Sequence, residues 1–230
     1  MVHDVSDRSG TALDPMDRFK HISLSSGASL YGNPDLDPER SLFFEYGLHA
    51  KTPELRFSTS LYANFLEDLI TEEIVSDAVL QMENVDEARI MGAEAEAEWF
   101  FHPRWSFYGN LAYTCGKNTS EDEYLPSIPP LSGLLGCRYD DADERFWASA
   151  ETQWAAAQHD VPDNTESSEA WAIVNLRAGY RFPLAQTRHD IMIGINNLFD
   201  RDYRNYLSAS RGIELKEPGF ALLVSWRMEF

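Results

Sequence analysis

Three glutamates stand at alternate positions of one run, Glu94, Glu96 and Glu98 within Ala93 to Glu98 (AEAEAE). Such a carboxylate ladder presents acceptors to cations or water. Candidate partners are Arg138, Arg177, Arg181 and Arg227, which occupy the polar alternate positions of later runs together with Glu151. No nucleophile motif, phosphate loop or metal-ligand spacing appears, so no catalytic residue, enzymatic activity or cofactor is expected. His159 and Met82 belong to types that bind soft metals and lie in or near long loops. A lone histidine or methionine in a loop usually binds nothing. Glu121, Asp122, Glu123, Asp160, Asp163 and Glu166 are expected to form a solvated acidic face, with divalent cations as its alternative ligands.

Every one of these residues is positioned by a run that alternates with period two. The last run is the clearest: Phe220, Leu222, Val224, Trp226, Met228 and Phe230 alternate with Gly219, Ala221, Leu223, Ser225, Arg227 and Glu229. One side is bulky and apolar, the other small, polar or charged, so it reads as a β-strand between two environments. The same rule gives strands at 42–51, 55–75, 79–101, 105–116, 131–140, 146–154, 172–182, 191–196 and 218–230. Helix propensity favours a helix over Ala93 to Glu98. The period of two overrules it, because a helix would scatter those glutamates around its axis. Residues 1–40 lack sustained periodicity, are rich in Asp, Ser, Gly and Pro, and read as one long loop.

With 19 Lys plus Arg against 38 Asp plus Glu, the formal charge is -19, which argues against nucleic-acid binding. No apolar run reaches the roughly 18 to 20 residues of a membrane helix. The start, Met1 to Asp7, has neither the basic nor the apolar region of a signal peptide, so an exported protein would carry its leader upstream. Cys115 and Cys137 fall on the apolar side of adjacent strands, about 20 Å apart, and are expected to be free thiols.

The connections alternate in length. Short ones follow residues 51, 101, 140 and 182; long ones follow 75 (Ser76 to Ala78 with its flanks), 116, 154 and 196. Aromatics crowd the apolar side next to the short turns (Phe57, Trp99, Phe107, Tyr139, Phe182 and Trp226 among them). A thinner set, Phe65, Tyr113 and Trp154, lies towards the long loops. Two aromatic bands and one-sided long loops are the layout of an outer-membrane β-barrel. A soluble sandwich has no reason to sort aromatics by height. The expected fold is all-β: an antiparallel transmembrane β-barrel segment of about nine strands, forming an open half-barrel. A plug-less passive pore or adhesin-like barrel, and a soluble β-sandwich binding module, remain as alternatives. On this register, Arg at Leu111, Leu176 or Val224 should disrupt assembly, whereas Arg at Ser149 or Asn175 should be tolerated. Nine being odd, closing the segment on itself would pair its end strands in parallel.

Several stretches resemble one family, the TonB-dependent outer-membrane receptors. They are Gly32 to Ser41 (GNPDLDPERS), Asn84 to Glu96 (NVDEARIMGAEAE), Tyr113-Thr114, Ile128 to Pro130, Asn196 to Tyr203 (NNLFDRDY), and Glu217 to Gly219 with the terminal strand. The resemblance covers nearly the whole chain from Tyr31. Asn84 to Gly92, Tyr113 to Asn118 and Leu125 to Leu131 are most similar to the copper-receptor branch. Family members carry a signal peptide, a TonB-contacting box, a plug and a barrel of about 22 strands. The resemblance therefore implies residues 1–40 as an extracellular loop and 41–230 as C-terminal barrel strands, without plug or box. It implies uptake of a metal, siderophore, haem or cobalamin. It places Glu94, Glu96, Glu98, Arg138, Glu151, Arg177, Arg181 and Arg227 on the lumen wall, some of them touching the plug. It makes Phe230, with Trp226 and Val224, the signal read by the barrel assembly machinery. The implied surroundings are outer-membrane lipid and lipopolysaccharide, with TonB reached only through the plug.

Overall fold

The computed structural model describes residues 2–10, 15–24, 27–76, 78–163, 165–209 and 215–229. In chain order the elements are β1 (Val2–Gly10), α1 (Pro15–Phe19), β2 (His21–Ser23), β3 (Ser29–Tyr31), β4 (Arg40–Lys51), β5 (Leu55–Ser76) and β6 (Val79–His102). There follow β7 (Trp105–Asn118), β8 (Glu123–Tyr124), β9 (Ser132–Asp140), β10 (Phe146–Ala155), β11 (Trp171–Leu184), β12 (Thr187–Asn196), α2 (Tyr206–Ala209) and β13 (Ala221–Glu229). They form one open sheet in the order β1-β4-β5-β6-β7-β9-β10-β11-β12-β13, with β2, β3 and β8 off that path. All pairs along the path are antiparallel.

The register puts the expected apolar residues on one side throughout. Phe57 lies opposite Ala97, Ala97 opposite Gly109, and Phe107 opposite Cys137. Phe146 lies opposite Tyr180, Tyr180 opposite Ile191, and Ile191 opposite Trp226. This side is exposed over its width, with Leu61, Trp99, Leu135, Ile193, Val224 and Trp226 all uncovered. Water would penalise so wide an apolar surface, whereas lipid accepts it. Next to the short turns the rings touch in series. Phe101 and Phe107 lie 4.8 Å apart, Trp105 and Tyr139 4.9 Å, and Tyr180 and Phe182 6.0 Å. Ala93 to Glu98 is strand, as its period requires. Cys115 and Cys137 are free.

Three expectations change. Residues 2–10 are not loop: Val2–Gly10 is a strand laid against β4, with Val2 opposite Leu48 and Gly10 opposite Arg40. Its sequence, VHDVSDRSG, hides this because no apolar alternation marks it. The path therefore has ten strands rather than nine, so β1 and β13 run in opposite directions and parallel closure does not arise. The sheet nevertheless stays open, β1 and β13 each pairing on one side only among the described residues. Third, β11 and β12 run on to Leu184 and from Thr187, shrinking the turn expected at 183–189 to two residues. Ala185 takes a positive φ of 55° there, as a tight hairpin requires.

The β5–β6 hairpin rises above its neighbours. β6 pairs with β7 only from Ala88, yet pairs with β5 up to Val79. The overhang is nine residues, roughly 30 Å. At Asp68 (φ 57°) the pleat breaks, so Leu66 and Leu69 join the same apolar cluster with Val85, Ala88 and Leu125. Asn84 holds the break, its Nδ2 donating to the Asp68 carbonyl at 2.6 Å and to that of Asp37 at 3.2 Å. The Asp37 N–H returns a bond to Asn84 Oδ1 at 2.8 Å. That strap explains GNPDLDPE. Leu36 is buried with Leu30 and Met82, Arg18 donates to the Leu36 carbonyl, and Glu39 accepts the Ile70 N–H. A Cβ on Gly32 would meet the Arg18 backbone at 2.6 Å.

Candidate functional site

The side opposite the apolar one carries the sites expected from the sequence, and it sorts its charges into two groups. In the first, each carboxylate has a cation. Arg56 Nη1 donates to Glu98 Oε2 at 2.8 Å. Arg138 is bidentate on Asp140 at 2.8 and 2.7 Å, and Arg181 bonds Asp190 at 3.1 Å. Glu151, 7% exposed, is the most enclosed. It accepts from Arg177 Nη1 at 2.6 Å, Tyr108 Oη at 3.1 Å and Asn175 Nδ2 at 3.4 Å. The arginines thus pair with carboxylates on their own or neighbouring strands. Of Glu94, Glu96 and Glu98, only Glu98 holds a cation among the described residues, and that cation is Arg56 rather than one of the four expected. Arg227 lies opposite Asp190 on the same side.

The second group is a groove of about 530 Å³ over β4 to β7. Glu45, Glu94, Glu96, His49 and Asn110 reach it, and no Lys or Arg lines it among the described residues. Glu96 accepts from the Ser58 hydroxyl at 2.9 Å, and Thr59 bonds the Glu94 backbone carbonyl rather than its carboxylate.

A ring-over-glycine pairing not read from the sequence recurs across this face. Tyr62 lies opposite Gly92, Tyr108 opposite Gly136 and Trp147 opposite Gly179. Each ring covers its glycine so closely that a Cβ would sit 2.2 to 2.4 Å from it. Two of the rings then reach one strand further. Tyr62 Oη is 2.8 Å from Thr114 Oγ1, and Tyr108 reaches Glu151. Arg138 stacks on the Trp147 ring at 4.5 Å. An aromatic residue among polar alternates was the available signal, but its glycine lies on another strand and needs the register to be found.

The loops at the long-connection end are tied to this face. Asn197, in the left-handed region (φ 49°), donates its backbone N–H to Asn175 Oδ1 at 2.9 Å. Its side chain bonds the carbonyls of Arg201 and Pro218 and accepts the Arg201 N–H. Asp200 accepts the Phe220 N–H at 2.8 Å, where β13 begins. NNLFDRDY is thus a corner that seats the last strand. Burial pushes the Tyr203 and Tyr206 phenols above their ordinary range, with the Glu217 carboxylate adding to it at Tyr203. The Lys117 ammonium, bonding Asp122 at 2.9 Å, holds that exposed carboxyl below its usual range. The Asp160 carboxylate raises the Tyr124 phenol. Glu121, Asp122, Glu123, Asp160, Asp163 and Glu166 are all exposed.

Met82 is a correction: it is buried between Leu30 and Leu36 as a core side chain rather than a loop ligand. His159 is exposed, and no group of three or more His, Cys, Asp or Glu gathers around a metal position among the described residues. Trp226 and Val224 stand exposed on the apolar side; Phe230 lies outside the described residues.

Residues 6–198 match the family model described as "TonB dependent receptor-like, beta-barrel". The chain is 24% identical to the pesticin receptor of Yersinia pestis over 207 residues, covering 84% of this chain and 29% of that protein. It is 26% identical to a vitamin B12 transporter of Vibrio vulnificus over 174 residues, covering 75% and 27%. Its fold matches that of the copper transporter OprC with a TM-score of 0.82 at 25% identity, over 99% of this chain and 36% of that one. The siderophore receptor PirA of Acinetobacter baumannii shares the fold at 18% identity, with a TM-score of 0.70, over 98% and 38%. The chain thus spans about a third of the length of these relatives.

Proposed function

Because the chain belongs to the TonB-dependent receptor β-barrel family, we propose that it forms the C-terminal barrel wall of an outer-membrane receptor that takes up a scarce metal, metal chelate or comparable nutrient. The observation that carries this reading is the sorting of ten antiparallel strands into one exposed apolar side and one charged side. In that receptor the apolar side meets lipid and lipopolysaccharide. The side bearing Glu94, Glu96, Glu98, Arg138, Glu151, Arg177, Arg181 and Arg227 lines the lumen. The acidic groove over β4 to β7 faces the plug, through which TonB is reached. Phe230, with Trp226 and Val224, serves as the signal for the barrel assembly machinery. Copper is the favoured cargo, supported by the likeness to the copper transporter; ferric siderophores and cobalamin follow from the other relatives.

The test is growth of an outer-membrane receptor-deficient bacterium carrying the complete receptor, with copper, a ferric siderophore or cobalamin limiting in turn. Rescue on one nutrient, lost when TonB is removed, is the expected result. Equal leakage of unrelated small solutes with or without TonB would instead establish a passive pore.

A further inference from the structure

Arg89 of β6 and Lys117 of β7 lie directly opposite each other on the apolar side. Like charges so placed destabilise a strand pair unless an anion offsets them. Lys117 Nζ is 2.9 Å from Asp122 Oδ1 and 4.9 Å from the centre of the Tyr124 ring. The Asp122 side chain is 89% exposed, so water weakens that ion pair. Arg89 is exposed, and its guanidinium makes no ion pair or hydrogen bond among the described residues. By register, the nearest carboxylates on this side of β5 and β6 are Glu67 and Glu87, which face each other one row further towards the long connections. Glu67 is answered by Arg40 at 3.8 Å.

The strand sets the height of this pair. Arg89 stands ten residues up β6 from Trp99, which belongs to the ring cluster beside the short turns. At about 3.3 Å per residue and a strand tilt of about 40°, that run climbs about 25 Å, the height of the apolar band of an outer-membrane barrel. The two cations therefore sit at the upper edge of the band. Phe65, Met91 and Tyr113 stand exposed beside and below them. An amphiphile with acyl chains and an anionic headgroup matches both halves of this surface. Guanidinium and ammonium groups bind phosphate through charge-assisted hydrogen bonds.

We propose that Arg89 and Lys117 together hold a phosphate of lipopolysaccharide, whose acyl chains lie on Phe65, Met91 and Tyr113. The proposal rests on the membrane-barrel reading, which makes the long-connection end the outer one. Lipopolysaccharide carries its phosphates at the base of its sugar headgroup, next to the acyl chains, and that is the level the pair occupies. The bound phosphate supplies the counter-anion that Arg89 lacks, so lipid rather than a protein carboxylate offsets the facing cations.

The experiment uses the complete receptor bearing residues 1–230, stripped of lipid in a non-ionic detergent. Diphosphoryl lipid A, its dephosphorylated form and phosphatidylglycerol are titrated in turn. Binding is read by native mass spectrometry, and folding by heat-modifiability on gels. The variants are Arg89→Gln combined with Lys117→Gln, and Lys117→Glu, which offers Arg89 a carboxylate across the strands. Either should bind diphosphoryl lipid A roughly ten-fold more weakly than the wild type, through loss of charge-assisted bonds. Lys117→Glu should fold without lipid at least as well as the wild type, since opposite charges now face each other. The wild type should bind dephosphorylated lipid A and phosphatidylglycerol roughly ten-fold more weakly than the diphosphoryl form. Equal binding of diphosphoryl lipid A by the wild type and Lys117→Glu overturns the site. Equal wild-type binding of the three lipids also overturns it, and that comparison needs no variant to fold. Both failures leave the barrel reading intact, whereas a wild-type receptor with no heat-modifiable band overturns that reading and the site with it.

Discussion

Glu151 and Glu96 are the same residue type on the same side of the sheet, and they do different work. Glu151 is enclosed by Tyr108, Asn175 and Arg177. Through Asn175 it supports the corner at Asn197. Glu96 meets a serine hydroxyl at the rim of an open groove. Truncating Glu151 leaves a part-buried arginine, a tyrosine and an asparagine without their acceptor. Loss of one partner from a fully buried pair costs about 3 to 5 kcal/mol. Since the Arg177 side chain is 33% exposed, the cost is discounted to about 2 kcal/mol. Glu151→Ala should therefore lower the urea midpoint of the complete receptor clearly. Glu96→Ala should move it by no more than about 0.5 kcal/mol. Equal shifts for the two would remove the distinction between structural and partner-facing carboxylates.

At the scale of the strand, the two sides make opposite demands. Leu111 and Val224 stand in the exposed apolar surface, and Asn110 stands exposed beside Glu96. Arginine facing lipid near mid-depth costs about 2 to 4 kcal/mol. Leu111→Arg and Val224→Arg should abolish the heat-modifiable form, while Asn110→Arg, gaining a carboxylate neighbour, should retain it. Alternation alone extended the same tolerance to Ser149 and Asn175. The packing withdraws it: Asn175 is 3% exposed, and Ser149 lies between Arg138 and Arg177. Comparable folded yields for Leu111→Arg and Asn110→Arg would reverse the assignment of sides.

For the whole molecule the decisive feature is the pair of open edges. β1 and β13 each offer an unpaired row of backbone groups among the described residues. Such rows are untenable in lipid and promote aggregation in water. Ten strands permit antiparallel closure in principle, yet these two strands are not joined. Residues 1–230 expressed alone with an export signal should therefore yield no compact, heat-modifiable monomer. A conducting, heat-modifiable monomer in planar bilayers would mean that the ten strands close on themselves into a small pore.

Period-two alternation was enough to assign the side chains of the barrel strands to their sides, outside β1 and the break at Asp68 in β5, because the pleat admits two orientations and the surroundings are sharply unlike. It was also enough to recognise Ala93 to Glu98 as strand and to read the aromatic belts. It failed where the signal depends on partners. Val2–Gly10 has no apolar side of its own and becomes a strand by its bonds to β4. Met82 reads as a loop thioether until Leu30 and Leu36 fold over it. The pairing of Glu151 with Arg177 and the rings over Gly92, Gly136 and Gly179 join residues on different strands. One strand's sequence specifies which way a side chain points. Only the register between strands decides what it meets there, because a slip by two residues preserves every side and changes every neighbour.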